Sequence, residues 1–339
     1  MAACLLGACS GPVERVFSYS SDGPSRTGLV ATPSGVLLGN EGGALALVDP
    51  AGRQVWKVML GREVAARPVA VGDTVVAATV GGEWVGLSLQ EGQERWRQPR
   101  QAQLTPLVSD GERVFSVAQD GAVEAFDVAS ATSAWARPPP PGLRPNDRRP
   151  FPEPLVHGEL LLVALGDGGL FALGTRTGEL KWKLPALGVT ALAGEEGRIY
   201  AATTPGGVVA LEAGTGRTLW STHVGPVTSG LTLLSNRLWL GLSGNRLLAM
   251  DPEDGTEQFR ATLPGPLLSR PVPYRELLLV PTAGQEGMLV GLRPPATEPV
   301  FRYRVDSPLR GAPVVRGDVV LVPAADGRVL GVRVKADTR

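Results

Sequence analysis

Seven aromatic residues (Trp56, Trp96, Trp135, Trp182, Trp220, Phe259 and Phe301) return about every forty positions along the chain, each behind the same frame of residues. Fourteen positions ahead of them stand Gly42, Gly82, Gly121, Gly168, Gly206, Asn245 and Gly287. Ten ahead is always a small residue: Ala46, Gly86, Ala125, Ala172, Ala210, Ala249 or Gly291. Nine ahead is large and apolar: Leu47, Leu87, Phe126, Leu173, Leu211, Met250 or Leu292. Four ahead is glycine in five copies (Gly52, Gly92, Gly178, Gly216, Gly255), with Ala131 and Thr297 in the other two. Self-similarity at this period defines a repeat architecture. The 339 residues therefore build one repetitive body, not the two or three domains that length alone would imply.

Within one copy, residues 68–98, short β-branched and aliphatic runs alternate with Gly-Asp and Gly-Gly breakers, the pattern of successive antiparallel hairpins. The runs are too short for helices of ordinary length. The unit is a four-stranded meander, with further copies at 28–59, 104–137, 151–184, 193–222, 230–261 and 269–304. Each frame position has a physical reason. The Gly or Asn fourteen ahead enters the third strand through a turn where positive φ is tolerated. The small residue leaves room for the aromatic ring, and its large neighbour faces the adjoining blade. The glycine four ahead turns the chain into the outermost strand, whose aromatic folds over its own blade and the next.

The C-terminus holds an eighth, incomplete copy. Gly327, Gly331 and Val332 take the turn, small and large positions, but its aromatic would fall beyond Arg339. The segment Glu14-Arg15-Val16-Phe17-Ser18-Tyr19 has the character of the missing strand, with Phe17 as its aromatic. The sequence thus predicts an all-β, eight-bladed β-propeller over residues 13–339, the last blade closed by the N-terminal strand; closure of this kind leaves only short, protected edges. Residues 1–12 are set apart as a leader remnant. One spacing is longer than the rest, with 47 positions between Trp135 and Trp182. The excess is Pro138–Pro150, an extended proline-rich loop between blades 3 and 4 that carries Arg144, Asp147, Arg148 and Arg149. It is a candidate docking element or a tolerated surface insertion.

Balanced charges, 33 basic against 33 acidic residues, give no basic face for nucleic acid. Both cysteines, Cys4 and Cys9, precede the folded body, which excludes disulfides, cysteine catalysis and thiolate metal sites within it. His157 and His223 lie far apart in the frame, and no phosphate loop or nucleophile elbow is present. Asp251-Pro252-Glu253-Asp254-Gly255 is acidic, but its glycine falls one place early for a calcium loop and coincides with the repeat turn. Trp84 and Trp239 lie outside the frame, as packing residues between blades or as contact aromatics at a face. No segment beyond the first residues reaches the ~18 apolar residues of a membrane span.

Ala172 through Trp182, and Ala210 through Trp220, resemble the tryptophan-docking repeat of pyrroloquinoline-quinone (PQQ) type propellers, and the likeness runs over nearly the whole chain after about residue 13. Leu6-Gly7-Ala8-Cys9 resembles a bacterial lipobox, which implies a mature, lipid-bearing start at Cys9. It lacks a basic n-region, so the signal peptide is expected to begin upstream. An eight-bladed propeller behind a lipobox resembles the BamB lipoproteins of the outer-membrane β-barrel assembly machinery. That resemblance implies a non-enzymatic, monomeric scaffold without cofactor, lipid-anchored on the periplasmic face of the outer membrane. Its implied partner is the central subunit of the machinery, met through loops on one face near the middle blades. No motif matches the family's contact residues one by one, so Arg144, Asp147, Arg148 and Arg149 are candidates by position alone. Ser10 after the lipid cysteine agrees with release to the outer membrane. Two alternatives stay open: an envelope propeller with another protein or glycan partner, and a PQQ-dependent dehydrogenase. The latter resemblance implies adjacent cysteines against the cofactor, which this body lacks.

Overall fold

The computed structural model describes residues 12–143, 151–185 and 187–335. They form eight four-stranded antiparallel sheets, arranged as the blades of a propeller. Blades 1 to 7 are meanders of consecutive strands spanning residues 30–59, 69–99, 108–137, 155–184, 189–223, 232–262 and 272–305. Blade 8 joins Val314–Arg316, Val319–Pro323 and Arg328–Val334 to the N-terminal strand Val13–Ser20.

Closure of the ring is visible in how the core divides. Eight apolar clusters fill the eight seams between neighbouring blades. The seam between blades 8 and 1 packs Tyr19, Val319, Leu321 and Val329 against Leu29, Val36, Leu38 and Val48. Alternation along a strand sends successive side chains to opposite seams. Val36 and Leu38 enter the seam with blade 8, while Leu37 enters the seam with blade 2. The middle strands are covered on both faces, so they read as unbroken apolar runs such as Gly35–Gly39.

The N-terminal strand is fixed by more than apolar packing. Its ladder with Arg328–Val334 runs from Val13↔Val334 to Ser20↔Arg328 and sets Phe17 opposite Gly331. A Cβ on Gly331, or on Gly52 in the turn of blade 1, would overlap the Phe17 ring. Tyr19 donates its hydroxyl hydrogen to Gln54 Oε1 of blade 1 at 3.0 Å. Lys335 N donates to Pro12 O at 2.9 Å.

The frame acts as a docking device between blades. The small residue pairs with the aromatic in blades 2 to 7, as in Ala172↔Trp182 and Ala210↔Trp220. In blade 1 a bulge falls one residue later, and Leu47 rather than Ala46 stands opposite Trp56. Four of the five docked indoles, all but Trp96, lie on the turn glycine of the following blade. A Cβ on Gly92, Gly178, Gly216 or Gly255 would come within 2.7 Å of Trp56, Trp135, Trp182 or Trp220 respectively. The indole N–H then donates to the carbonyl three residues before that glycine: Leu89, Thr175, Ala213 and Pro252, at 2.7–3.0 Å.

One expectation needs correction. Positive φ at the position fourteen ahead holds for Gly82, Gly121, Gly206 and Asn245. In blades 1 and 4 it moves one residue on, to Gly43 and Gly169. Gly287 keeps an ordinary φ; it is small because a Cβ would run into Ser307 O. Ala131, which replaces the turn glycine in blade 3, keeps the left-handed conformation at φ 54°. For a residue with a Cβ that conformation costs about 1 kcal/mol. Ala131→Gly is therefore expected to raise stability by roughly 0.5–1 kcal/mol, a gain read from the urea midpoint at unchanged slope.

Candidate protein-binding face

In a meander, the turns after first and third strands lie at one end of the ring. The turns after second strands and the connections between blades lie at the other. The insertion is such a connection, so it rises from the second end. Arg144, Asp147, Arg148 and Arg149, and the lipidation candidate Cys9, lie outside the described residues. The roots of the insertion are well defined. Leu143 packs into the seam between blades 3 and 4, where Cβ atoms on Gly121 or Gly168 would meet it. Phe151, 4% exposed, fills the same cluster, and its N–H donates to Thr105 Oγ1 at 3.1 Å. Just past it, Glu153 pairs with Arg67 from the connection between blades 1 and 2. The described ends of the insertion are thus held by apolar contacts, half-buried Leu143 on one side and buried Phe151 on the other.

The other singled-out residues fall apart spatially or serve packing. His157 is on the innermost strand of blade 4 and His223 closes the outermost strand of blade 5. Among the described residues, no three His, Cys, Asp or Glu side chains gather in a way that could hold a metal ion. In the acidic turn, Asp251 Oδ1 accepts the Glu253 N–H at 2.8 Å and Asp254 Oδ1 accepts the Thr256 N–H at 2.9 Å. The Thr256 N–H, as the first cause, holds the Asp254 carboxyl below its usual range. Glu253 is paired with Arg198 from blade 5. These carboxylates serve their own turn and the blade seam, not a shared cation. Trp84 and Trp239 are 1% and 2% exposed, core residues against Phe126 and Phe259.

One feature of this end was not singled out from sequence. A cleft of about 590 Å³ opens between blades 2 and 3, with Arg100, Gln103, Glu124 and Arg137 in its walls beside Trp84. These residues occupy ordinary repeat positions, and only the packing of two blades brings them together.

Fold and docking frame together define an eight-bladed, tryptophan-docked propeller of the PQQ-repeat class. Residues 41–199 and 204–290 match the family model for outer membrane protein assembly factor BamB. That is more than half the chain, and the protein belongs to this family. Outer membrane protein assembly factor BamB of Burkholderia pseudomallei (strain K96243) is 27% identical over 333 residues, covering 90% of this chain and 83% of that one. The crystal structure of BamB from Moraxella catarrhalis superposes with a TM-score of 0.78 at 19% identity, over 95% of this chain and 99% of that one. Quinohemoprotein alcohol dehydrogenase from Comamonas testosteroni reaches the same TM-score of 0.78 at 12% identity, over 97% of this chain and 77% of that one. At such identities the structural likeness speaks to the fold alone.

Proposed function

We propose that the protein is a non-enzymatic scaffold lipoprotein, anchored through Cys9 on the periplasmic face of the outer membrane, that assists assembly and insertion of β-barrel proteins. The observation that carries this reading is the BamB family match over most of the ring. Within it, the monomeric propeller meets the central subunit of the assembly machinery, and the insertion with Arg144, Asp147, Arg148 and Arg149 is the contact. Support for the contact is positional: the ends of the loop, half-buried Leu143 and buried Phe151, pack between the middle blades. A loop joining elements of a rigid scaffold is a common place for binding residues.

The full-length lipoprotein, affinity-tagged and purified from solubilised envelope, is expected to bring down the barrel assembly subunits. Replacing the three arginines and Asp147 by alanine should cut that recovery about tenfold or more, since the central charged residues of a contact carry much of its energy. Thermal unfolding should be unchanged. Equal recovery from the variant would remove the loop from the interface, and consistent absence of the subunits from the intact protein would overturn the assembly role. The fold shared with a quinohemoprotein dehydrogenase supplies the competing reading. It requires binding of added PQQ and calcium, visible as a new absorption band; none is expected.

A further inference from the structure

The outermost strand of each blade ends its sheet and turns an unpaired edge outward. Which backbone groups face that edge follows from where the end of the strand is tied. The N–H four residues after the aromatic donates back to the turn before the third strand in five blades: Leu60 to Gly43 O, Arg100 to Gly82 O, Val224 to Gly206 O, Leu263 to Asn245 O and Ser21 to Gly327 O, at 2.7–3.1 Å. Along an antiparallel strand, residues alternate between bonding the neighbour and pointing both backbone groups away from it. The residues one and three after the aromatic therefore hold their N–H and C=O outward. Such an edge invites pairing with another chain, and proteins blunt it with charged side chains and proline. Here the blunting falls at those two positions. One after the aromatic stand Lys57, Arg97, Lys183, Arg260 and Arg302, and three after stand Pro99, Pro138, Pro185 and Arg304, which covers blades 1 to 4, 6 and 7. Blade 8 has Ser18 and Ser20 there, but its strand begins with Glu14 and Arg15, and the Ser20 hydroxyl accepts the Asp22 N–H at 3.2 Å. Blade 5 has Ser221 and His223, both exposed. Among the described residues, its Thr218–His223 is the one outermost strand without Lys, Arg, Asp, Glu or Pro. Leu219, on the same strand, is 37% exposed.

We propose that the outer edge of blade 5 takes up an extended segment of a partner protein as a fifth strand of its sheet. Ser221 and His223 offer an N–H and a C=O each, repeating about 7 Å apart along the strand. That alternation is matched by the backbone of another extended chain, the chemistry of strand addition. A helix has already spent the same groups within itself. The side chains beside the open edge are Leu219, Ser221, Thr222 and His223, so β-branched and hydroxyl-bearing residues on the incoming strand pair best with them. A strand arriving at blades 1, 2, 4, 6 or 7 would instead have to desolvate or displace a lysine or arginine. The edge is separate from the insertion between blades 3 and 4, and it depends neither on Cys9 nor on which protein supplies the strand.

The test uses the intact protein labelled with 15N-histidine. Its two histidines give one backbone N–H signal each, from His223 at the edge and from His157 on the innermost strand of blade 4. His223→Pro removes the first signal and so assigns it. The probe is acetyl-Thr-Val-Thr-Val-Thr-Val-amide, N-methylated at alternate residues so that a single edge can bond and the peptide cannot stack on itself. The same peptide N-methylated at every residue is the control. With the probe, the His223 signal should move downfield and its exchange with water should slow about tenfold or more, while His157 stays unchanged. The control should bind about tenfold or more weakly. Ser221→Lys, which copies Lys57 and Lys183 at the same place in their blades, should weaken the probe about tenfold or more at an unchanged melting temperature. Ser18→Lys, in blade 8, should leave binding as it is. A His223 signal that stays put, that responds equally to both peptides, or that responds as strongly in Ser221→Lys overturns the proposal, as does loss of binding in Ser18→Lys. A dimer of the free protein that Ser221→Lys dissociates would give the edge to a second copy of this chain and likewise overturn it. Because purified protein and defined peptides are used, this outcome is independent of what the envelope pull-down recovers.

Discussion

Deletion of residues 14–20 is expected to destabilise the whole ring by more than about 5 kcal/mol, a loss comparable to the total stability of many domains. The deletion removes all but Val13 of the outermost strand of blade 8 and six of the seven pairs of its ladder with Arg328–Val334. It uncovers the seam that Tyr19 and Phe17 share with blade 1, and it takes away the ring that docks on Gly52 and Gly331. Burial of apolar area at about 25 cal/mol per Å² makes those two aromatics alone worth several kcal/mol. Because every blade leans on two neighbours, an open seam exposes both faces beside it, and a single cooperative melt at a much lower temperature should result. A deleted protein that melts with the intact one would show that the strand is an appendage.

Trp182→Ala should cost about 3–5 kcal/mol, the usual loss for truncating a large buried aromatic. Trp182 is 9% exposed, rests on Gly216 of blade 5 and donates its N–H to Ala213 O at 2.7 Å. The change empties the seam between blades 4 and 5 and leaves that carbonyl without its donor. Trp182→Phe separates the two contributions. It keeps most of the ring contact and loses the hydrogen bond, so about 1 kcal/mol beyond the small volume loss is expected. Denaturant midpoints at constant slope measure both. A Trp182→Ala loss under 1 kcal/mol would mean that docking between blades contributes little.

The fold was legible because the repeat imposes the same physical demand many times. A ring that must lie on a turn glycine, with a small residue beneath it, leaves nearly the same frame in each copy, Ala131 and Thr297 being the exceptions at the turn, and even the displaced pair Phe17 and Gly331 carries it. Departures came where local packing substituted for backbone conformation. Gly287 is small because of Ser307 O, and the blade 1 bulge moved one place to set Leu47 opposite Trp56. The frame gave no warning of either, since a glycine looks the same whether it serves φ or space. The acidic turn at Asp251 was legible as a turn because it coincided with the frame. The cleft was not, since Trp84, Arg100, Glu124 and Arg137 come from two blades and share no spacing. Within a repeat, residues that follow the frame report on the fold. Binding groups must be found where side chains off the frame converge in space.

Native-state hydrogen exchange of the N-terminal strand tests the ring most directly. If Val13–Ser20 seals blade 8, its ladder amides should open only with global unfolding and share the exchange free energy of Arg328–Val334. Exchange of residues 13–20 at unprotected rates, beside a protected 328–334 segment, would contradict the closed eight-bladed ring.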